Sequence, residues 1–248
     1  MSIIDVMALR RTAFVQREWY HLYSRGIDKR TIFESPSDFQ RFTKLLYLGN
    51  DHKEINLEFL KEVPYAEIFS LPRAKPLVAI GGYCLMKNHP HLLVQEKTNG
   101  GITKFMHKIG TAYTSYFNRK YDRIGNLMVK PFRSKHISDD LYFRKVAQYI
   151  HLNPAEIFES GWKSGKVNDI QKLKDKLLKY KHSSLYDYTS DGIRPERAIL
   201  DPDAFNLISG GLPPLEKVLE EAHTYYQEIA SDFDPKPRGR PKLKGVAF

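Results

Sequence analysis

One cysteine, Cys84, occurs in the 248 residues, so no disulfide can form within the chain, and a reducing compartment suits it. Long apolar runs are also missing. None reaches the about 20 residues of a membrane span, and Met1–Arg11 has no signal-peptide h-region. Acidic residues are in short supply: 29 Asp and Glu face 39 Lys and Arg, a net charge of +10 that favours a polyanionic partner. No internal repeat is visible, which excludes solenoids and propellers. What remains is apolar enough to fold, with 42% hydrophobic and 12% aromatic residues, and long enough for one sizeable domain. The expectation is a soluble, cytoplasmic, nucleoid-associated protein that touches nucleic acid and no membrane.

Read in order, the second half of Phe14–Ser24 predicts a strand, ended by the turn signal Arg25-Gly26. Ser35-Pro36-Ser37-Asp38 opens a helix carrying Phe39, Phe42, Leu45 and Leu46 at helical spacing. Leu77–Met86 and His89–Gln95 form a hairpin about Lys87-Asn88. Ile102, Phe105, Met106, Ile109, Tyr113, Tyr116 and Phe117 then recur at threes and fours, as in an amphipathic helix to Tyr121. Asn126–Ile137 is basic and reads as a strand or extended loop. Ser138-Asp139-Asp140 starts a helix, with a capping hydroxyl and two acids in the first turn, that runs to about Asn153. Val167–Lys181 and Leu215–Ile229 read as further helices. The fold class is α+β: an antiparallel sheet covered on one face by helices, with a helical C-terminal extension and a basic tail.

Two stretches carry candidate chemistry. His89 and His91 stand two apart on a strand and so share a face, where both imidazoles could meet one metal. Pro90 between them removes a backbone donor, which suggests an edge position or a distorted strand. On the later helix, Phe143, Val146, Ala147 and Ile150 form the core stripe, and Tyr149 lies on its shoulder. Asn153 follows four residues on, only about 40° round, so phenol and carboxamide share a face. Two imidazoles and one amide oxygen leave coordination positions open, as suits Mg²⁺ or Mn²⁺. The bland alternative is an aromatic at a core margin and a helix-ending asparagine.

Five segments, in order and spacing, are similar to the REP-associated tyrosine transposases, a branch of the single-tyrosine HUH transposases. They are Tyr20–Gly26, Tyr83–Leu93, Lys130–Lys135, Tyr149–Pro154 and Lys181–Ser184, so the resemblance spans about Trp19 to Tyr188. Pro90 and Ile27 depart from the commoner family residues without removing a catalytic atom. The resemblance implies a ferredoxin-like or RRM-like sheet, His89, His91 and Asn153 as metal ligands, and Tyr149 as nucleophile. It also implies nicking and rejoining of single-stranded or hairpin DNA through a 5′-phosphotyrosine. A phenol with a pKa of about 10 needs a cationic neighbourhood to attack at neutral pH, which a divalent ion provides.

Arg25, Lys130, Arg133 and Lys135 are the candidate phosphate contacts. The tail from Pro235 to Lys244 holds five basic residues and no acid, and Pro237-Arg238-Gly239-Arg240-Pro241 resembles an AT-hook. Arg238 and Arg240 would then enter an A/T-rich minor groove; a merely electrostatic tail is the alternative. The expected organisation is a catalytic domain over 1–188, a helical extension over 189–234 and a flexible basic tail over 235–248, acting as monomer or homodimer. Two other functions compete: a noncatalytic hairpin-DNA binder that keeps the fold, and a metal-dependent phosphodiesterase using water.

Overall fold

The computed structural model describes residues 13–54, 62–164, 166–210, 214–215 and 217–219. Four strands and two helices alternate first: β1 (Trp19–Tyr23), α1 (Pro36–Leu48), β2 (Val78–Met86), β3 (His89–Glu96), α2 (Gly101–Lys120) and β4 (Arg133–Ile137). After them come α3 (Asp140–Leu152), α4 (Ala155–Phe158), α5 (Ile170–Leu178), α6 (Leu185–Thr189) and α7 (Pro202–Ser209). The sheet order is β2-β3-β1-β4, antiparallel throughout. With helices between β1 and β2 and between β3 and β4, this is the ferredoxin-like arrangement. No helix among the described residues is long and apolar enough to cross a membrane.

Buried carboxylates start the two helices of this unit. Asp38 accepts from the backbone N–H groups of Glu34 and Ser35, ahead of Pro36 in the first turn of α1. Glu96, at the end of β3, accepts from the N–H groups of Gly101 and Ile102 at 3.2 and 2.7 Å, so the strand's last side chain caps the next helix. At α3 the cap is Asp139, whose carboxylate accepts from the Tyr142 N–H at 2.8 Å. Ser138, the expected capping hydroxyl, donates instead to Asp139.

Helices cover both faces of the sheet, not one as the sequence suggests. Tyr20, Leu22, Ile80, Leu92 and Val94 pack against α1 and α2 through Phe42, Leu45, Phe105, Ile109 and Tyr113. Cys84, Met86 and Leu93 point the other way, against Phe143, Val146 and Ile150 of α3, Leu173 and Leu177 of α5, and Trp162. All nine residues of β2 are buried, as expected of a strand sandwiched between two layers.

The two sheet edges differ. Beside β2, Leu85 N–H donates to His182 O and Ser184 N–H to Tyr83 O, both at 2.9 Å, so residues 182–184 cover that edge. Arg194 clasps the covering segment, donating to Lys181 O, Ser183 O and the Asp187 carboxylate. β4 forms the other edge and exposes Arg133, Ser134, Lys135 and His136. Charge on an edge strand discourages pairing with another chain.

Candidate active site

Residues paired across an antiparallel ladder point to the same face. The register sets His91 between Cys84 of β2 and Tyr23 of β1, and Tyr23 opposite Arg133 of β4. One row along, Leu93 pairs with His21, and His21 with Lys135. His89 pairs with Met86. Thus three imidazoles, a phenol and two cations share the face that α3 covers.

On that face His89 and His91 lie edge to face with ring centroids 4.6 Å apart. Tyr149 of α3 meets the imidazole of His91 edge-on at 5.7 Å, and that of His21 at 5.9 Å. Its place follows from the helix stripe: Phe143 packs against Trp19 at 4.9 Å, and the buried Val146 and Ile150 hold the next turns. Tyr149 is 5% exposed and His91 3%, whereas His89 is half-buried. The cluster therefore opens at His89, beside the Lys87-Asn88 turn.

Hydrogen bonds fix how the imidazoles present themselves. Asn88 Oδ1 lies against His89 Nδ1, and an amide oxygen only accepts. His89 Nδ1 is therefore a donor, and in the neutral ring that leaves Nε2 with the lone pair. His91 Nδ1 is 2.8 Å from His21 Nε2, between rings tilted by only 10°. Burial, helped by the nearby His89, holds the His21 imidazole down at about 3, so it is neutral at physiological pH.

Asn153 is buried at the C-terminal end of α3, and its Nδ2–H donates to Tyr149 O at 2.9 Å. The carboxamide thus folds back on its own helix, with its amine committed and its oxygen left over. The hydrogen bond it makes among the described residues is to Tyr149, not to an imidazole. Also among the described residues, no group of three or more His, Cys, Asp or Glu side chains is arranged to hold a metal. The donor set here is two imidazoles plus, at most, an amide oxygen. Such a set fits a hard divalent ion that keeps open positions for water or phosphate oxygen.

Of the expected phosphate contacts, Arg133 and Lys135 are exposed on β4, on the histidine face. Arg25 follows β1 and is half-buried, with its carbonyl accepting from Val129 N–H at 2.8 Å. Lys130 lies elsewhere. It lines a cavity of about 640 Å³ between α2 and residues 127–132, with Pro90 and Met106, on the opposite side of the sheet from Tyr149. Arg238 and Arg240 lie outside the described residues, as does most of the expected helix Leu215–Ile229.

Sequence reasoning missed His21, Asn88 and Tyr23 as members of this cluster. Alternation along β1 could have put His21 and Tyr23 on one face, but only the ferredoxin-like sheet that the resemblance implies, and no local pattern, sets β1 beside β3.

The ladder order and this face define the class: a ferredoxin-like α+β protein with paired imidazoles on a central strand beneath a helical phenol. The chain belongs to the IS200-like transposases, whose family model matches residues 15–153, more than half its length. No curated protein matches it. Among solved structures it is similar to a REP-associated tyrosine transposase bound to a REP hairpin. That similarity has 12% identity and a TM-score of 0.45, and covers 77% of this chain and 90% of that one.

Proposed function

We propose that the protein is a metal-dependent DNA strand transferase that nicks and rejoins single-stranded or hairpin DNA through Tyr149. The observation that carries this reading is the packing of the Tyr149 phenol against the histidine face, 5.7 Å from the His91 ring. A phenol that merely filled the core would need no imidazole pair beside it. His89 and His91 would hold Mg²⁺ or Mn²⁺ through Nε2, with Asn153 Oδ1 as the third protein ligand. When bound, the ion neutralises charge on the non-bridging oxygens of the scissile phosphate.

The remaining work belongs to the chain. The phosphodiester enters past the half-exposed His89 while Arg133 and Lys135 hold flanking phosphates. They stand two strands from His91, roughly 10 Å at the usual ladder spacing. Tyr149 Oη attacks phosphorus and loses its proton; the bond from phosphorus to the 3′ oxygen breaks, and that oxygen leaves as a hydroxyl. The 5′-phosphotyrosine conserves the phosphodiester energy, so a second 3′-hydroxyl can reverse the step and complete transfer. Burial of the Tyr149 side chain keeps water from competing for the intermediate.

Incubation of labelled hairpin DNA with the protein and Mn²⁺, followed by a denaturing gel, tests this. A protein–DNA adduct is expected with the wild type, and none with Tyr149→Phe. Cleavage that survives Tyr149→Phe points to a hydrolase using water; no cleavage with the wild type points to a noncatalytic binder.

A further inference from the structure

We propose that His21 selects which nitrogen of His91 can bind the metal, acting as a positioning residue and not as a ligand. The inference rests on the assignment of His89 and His91 as ligands. His21 and His91 are both buried, with His21 Nε2 and His91 Nδ1 2.8 Å apart. At that distance one proton lies between the two nitrogens, and it has two possible owners. If His21 Nε2 carries it, His91 Nδ1 accepts, and the neutral His91 ring must hold its own proton on Nε2. That tautomer cannot ligate. If His91 Nδ1 carries it, His21 Nε2 accepts, and His91 Nε2 presents a lone pair.

His89 shows the second arrangement, built with different chemistry. There the acceptor at Nδ1 is the Asn88 amide oxygen, which leaves no choice of tautomer. For His91 the acceptor is an imidazole that must itself be in the right form. His21 therefore does for His91 what Asn88 does for His89: it receives the Nδ1 proton and orients the ring. A hydrogen-bond acceptor behind a ligating imidazole also raises its basicity, and loss of such a partner costs about 10–100-fold in metal affinity. Because Nε2 of His21 is engaged with His91, that nitrogen is not a third donor to the ion.

The test uses the full-length protein without DNA. Mn²⁺ affinity is read from the electron paramagnetic resonance signal of the free ion, for wild type, His21→Phe, His21→Gln and His91→Ala. Proton–nitrogen correlation spectra with Mg²⁺ report the His91 tautomer in the wild type. Expected are a roughly 10–100-fold weaker Kd for His21→Phe, recovery in His21→Gln, whose amide oxygen can accept, and His91 protonated on Nδ1. Wild-type affinity in His21→Phe, with affinity lost in His91→Ala, overturns the role of His21 and leaves the ligand assignment standing. A wild-type spectrum with His91 protonated on Nε2 overturns it as well, even if His21→Phe fails to fold. Affinity unchanged in His91→Ala overturns the ligand assignment, and the inference with it.

Discussion

His151 shares a helix with Tyr149 but has a different task. Two residues on is about 200° round an α-helix, so the imidazole points away from the phenol. It meets Ser184 Oγ at 2.8 Å, in the segment that covers the β2 edge. Burial, with Arg194 nearby, holds its imidazole down at about 3, against an ordinary value of about 6.5. The unfolded chain thus takes up a proton at this site as pH falls below about 6.5, while the folded one does so only near 3. The contribution to stability is complete above about 6.5 and is lost as pH drops toward the folded value. Between pH 7 and pH 5 this single group should remove about 2 kcal/mol, and His151→Gln should flatten that slope by about the same amount in urea denaturation. The motif Tyr149–Pro154 marks His151 in the sequence, but its partner lies 33 residues away, on a segment without helical or strand periodicity. His21 escaped for the same reason. Strand alternation pairs His89 with His91, whereas the third imidazole depends on a register between strands 70 residues apart.

Among the elements, α1, α2, α3 and α5 were legible because their apolar stripes repeat at threes and fours, and the β2–β3 hairpin because two apolar runs flank a short polar turn. The short α4, α6 and α7 carry too few turns to show such a stripe. β4 was legible only as a strand or extended loop: Arg133-Ser134-Lys135-His136 has no apolar alternation, and its ladder with β1 is what makes it a strand. The second helical layer was also missed, although the apolar continuity of Val78–Met86 is the mark of a strand covered on both sides. The two helices of the ferredoxin-like unit are joined through one carboxylate. Asp38, buried at the start of α1, accepts from Lys120 Nζ and Tyr121 Oη at 2.7 Å, and from Tyr116 Oη at 3.0 Å, at the far end of α2. Burial pushes its acidity toward the neutral form, but these hydrogen bonds and the Ser35 N–H outweigh it and hold the carboxyl below the usual range. Asp38→Ala leaves Lys120 with the Ser35 and Ser37 hydroxyls as acceptors and removes the carboxylate from two phenols, and should cost about 2–3 kcal/mol in denaturant unfolding. An effect below about 1 kcal/mol would mean that α1 and α2 are held by their apolar contacts alone.

Over the whole molecule, the asymmetry of the sheet edges gives the charge a direction. Residues 182–184 cover the β2 edge, while β4, the last strand on the other side among the described residues, carries Arg133 and Lys135 on the histidine face. On the proposed function, a net charge of +10 would act both as a general attraction to DNA and, at this edge, as a guide toward Tyr149. Replacing Arg133 and Lys135 together by Ala should weaken single-strand binding and lower the slope of log K against log salt by about 1.4, or about 0.7 for each phosphate no longer neutralised. An unchanged slope places the strand elsewhere on the surface. The surface is thereby expected to deliver a phosphodiester to Tyr149 beside the histidine pair. Peptide mass spectrometry of the protein trapped with hairpin DNA and Mn²⁺ tests that delivery most directly. After nuclease and protease digestion, the peptide containing Tyr149 should carry a 5′-linked nucleotide, and His89→Ala should abolish the modification. A nucleotide on another tyrosine, or cleaved DNA with every tyrosine unmodified, contradicts the account.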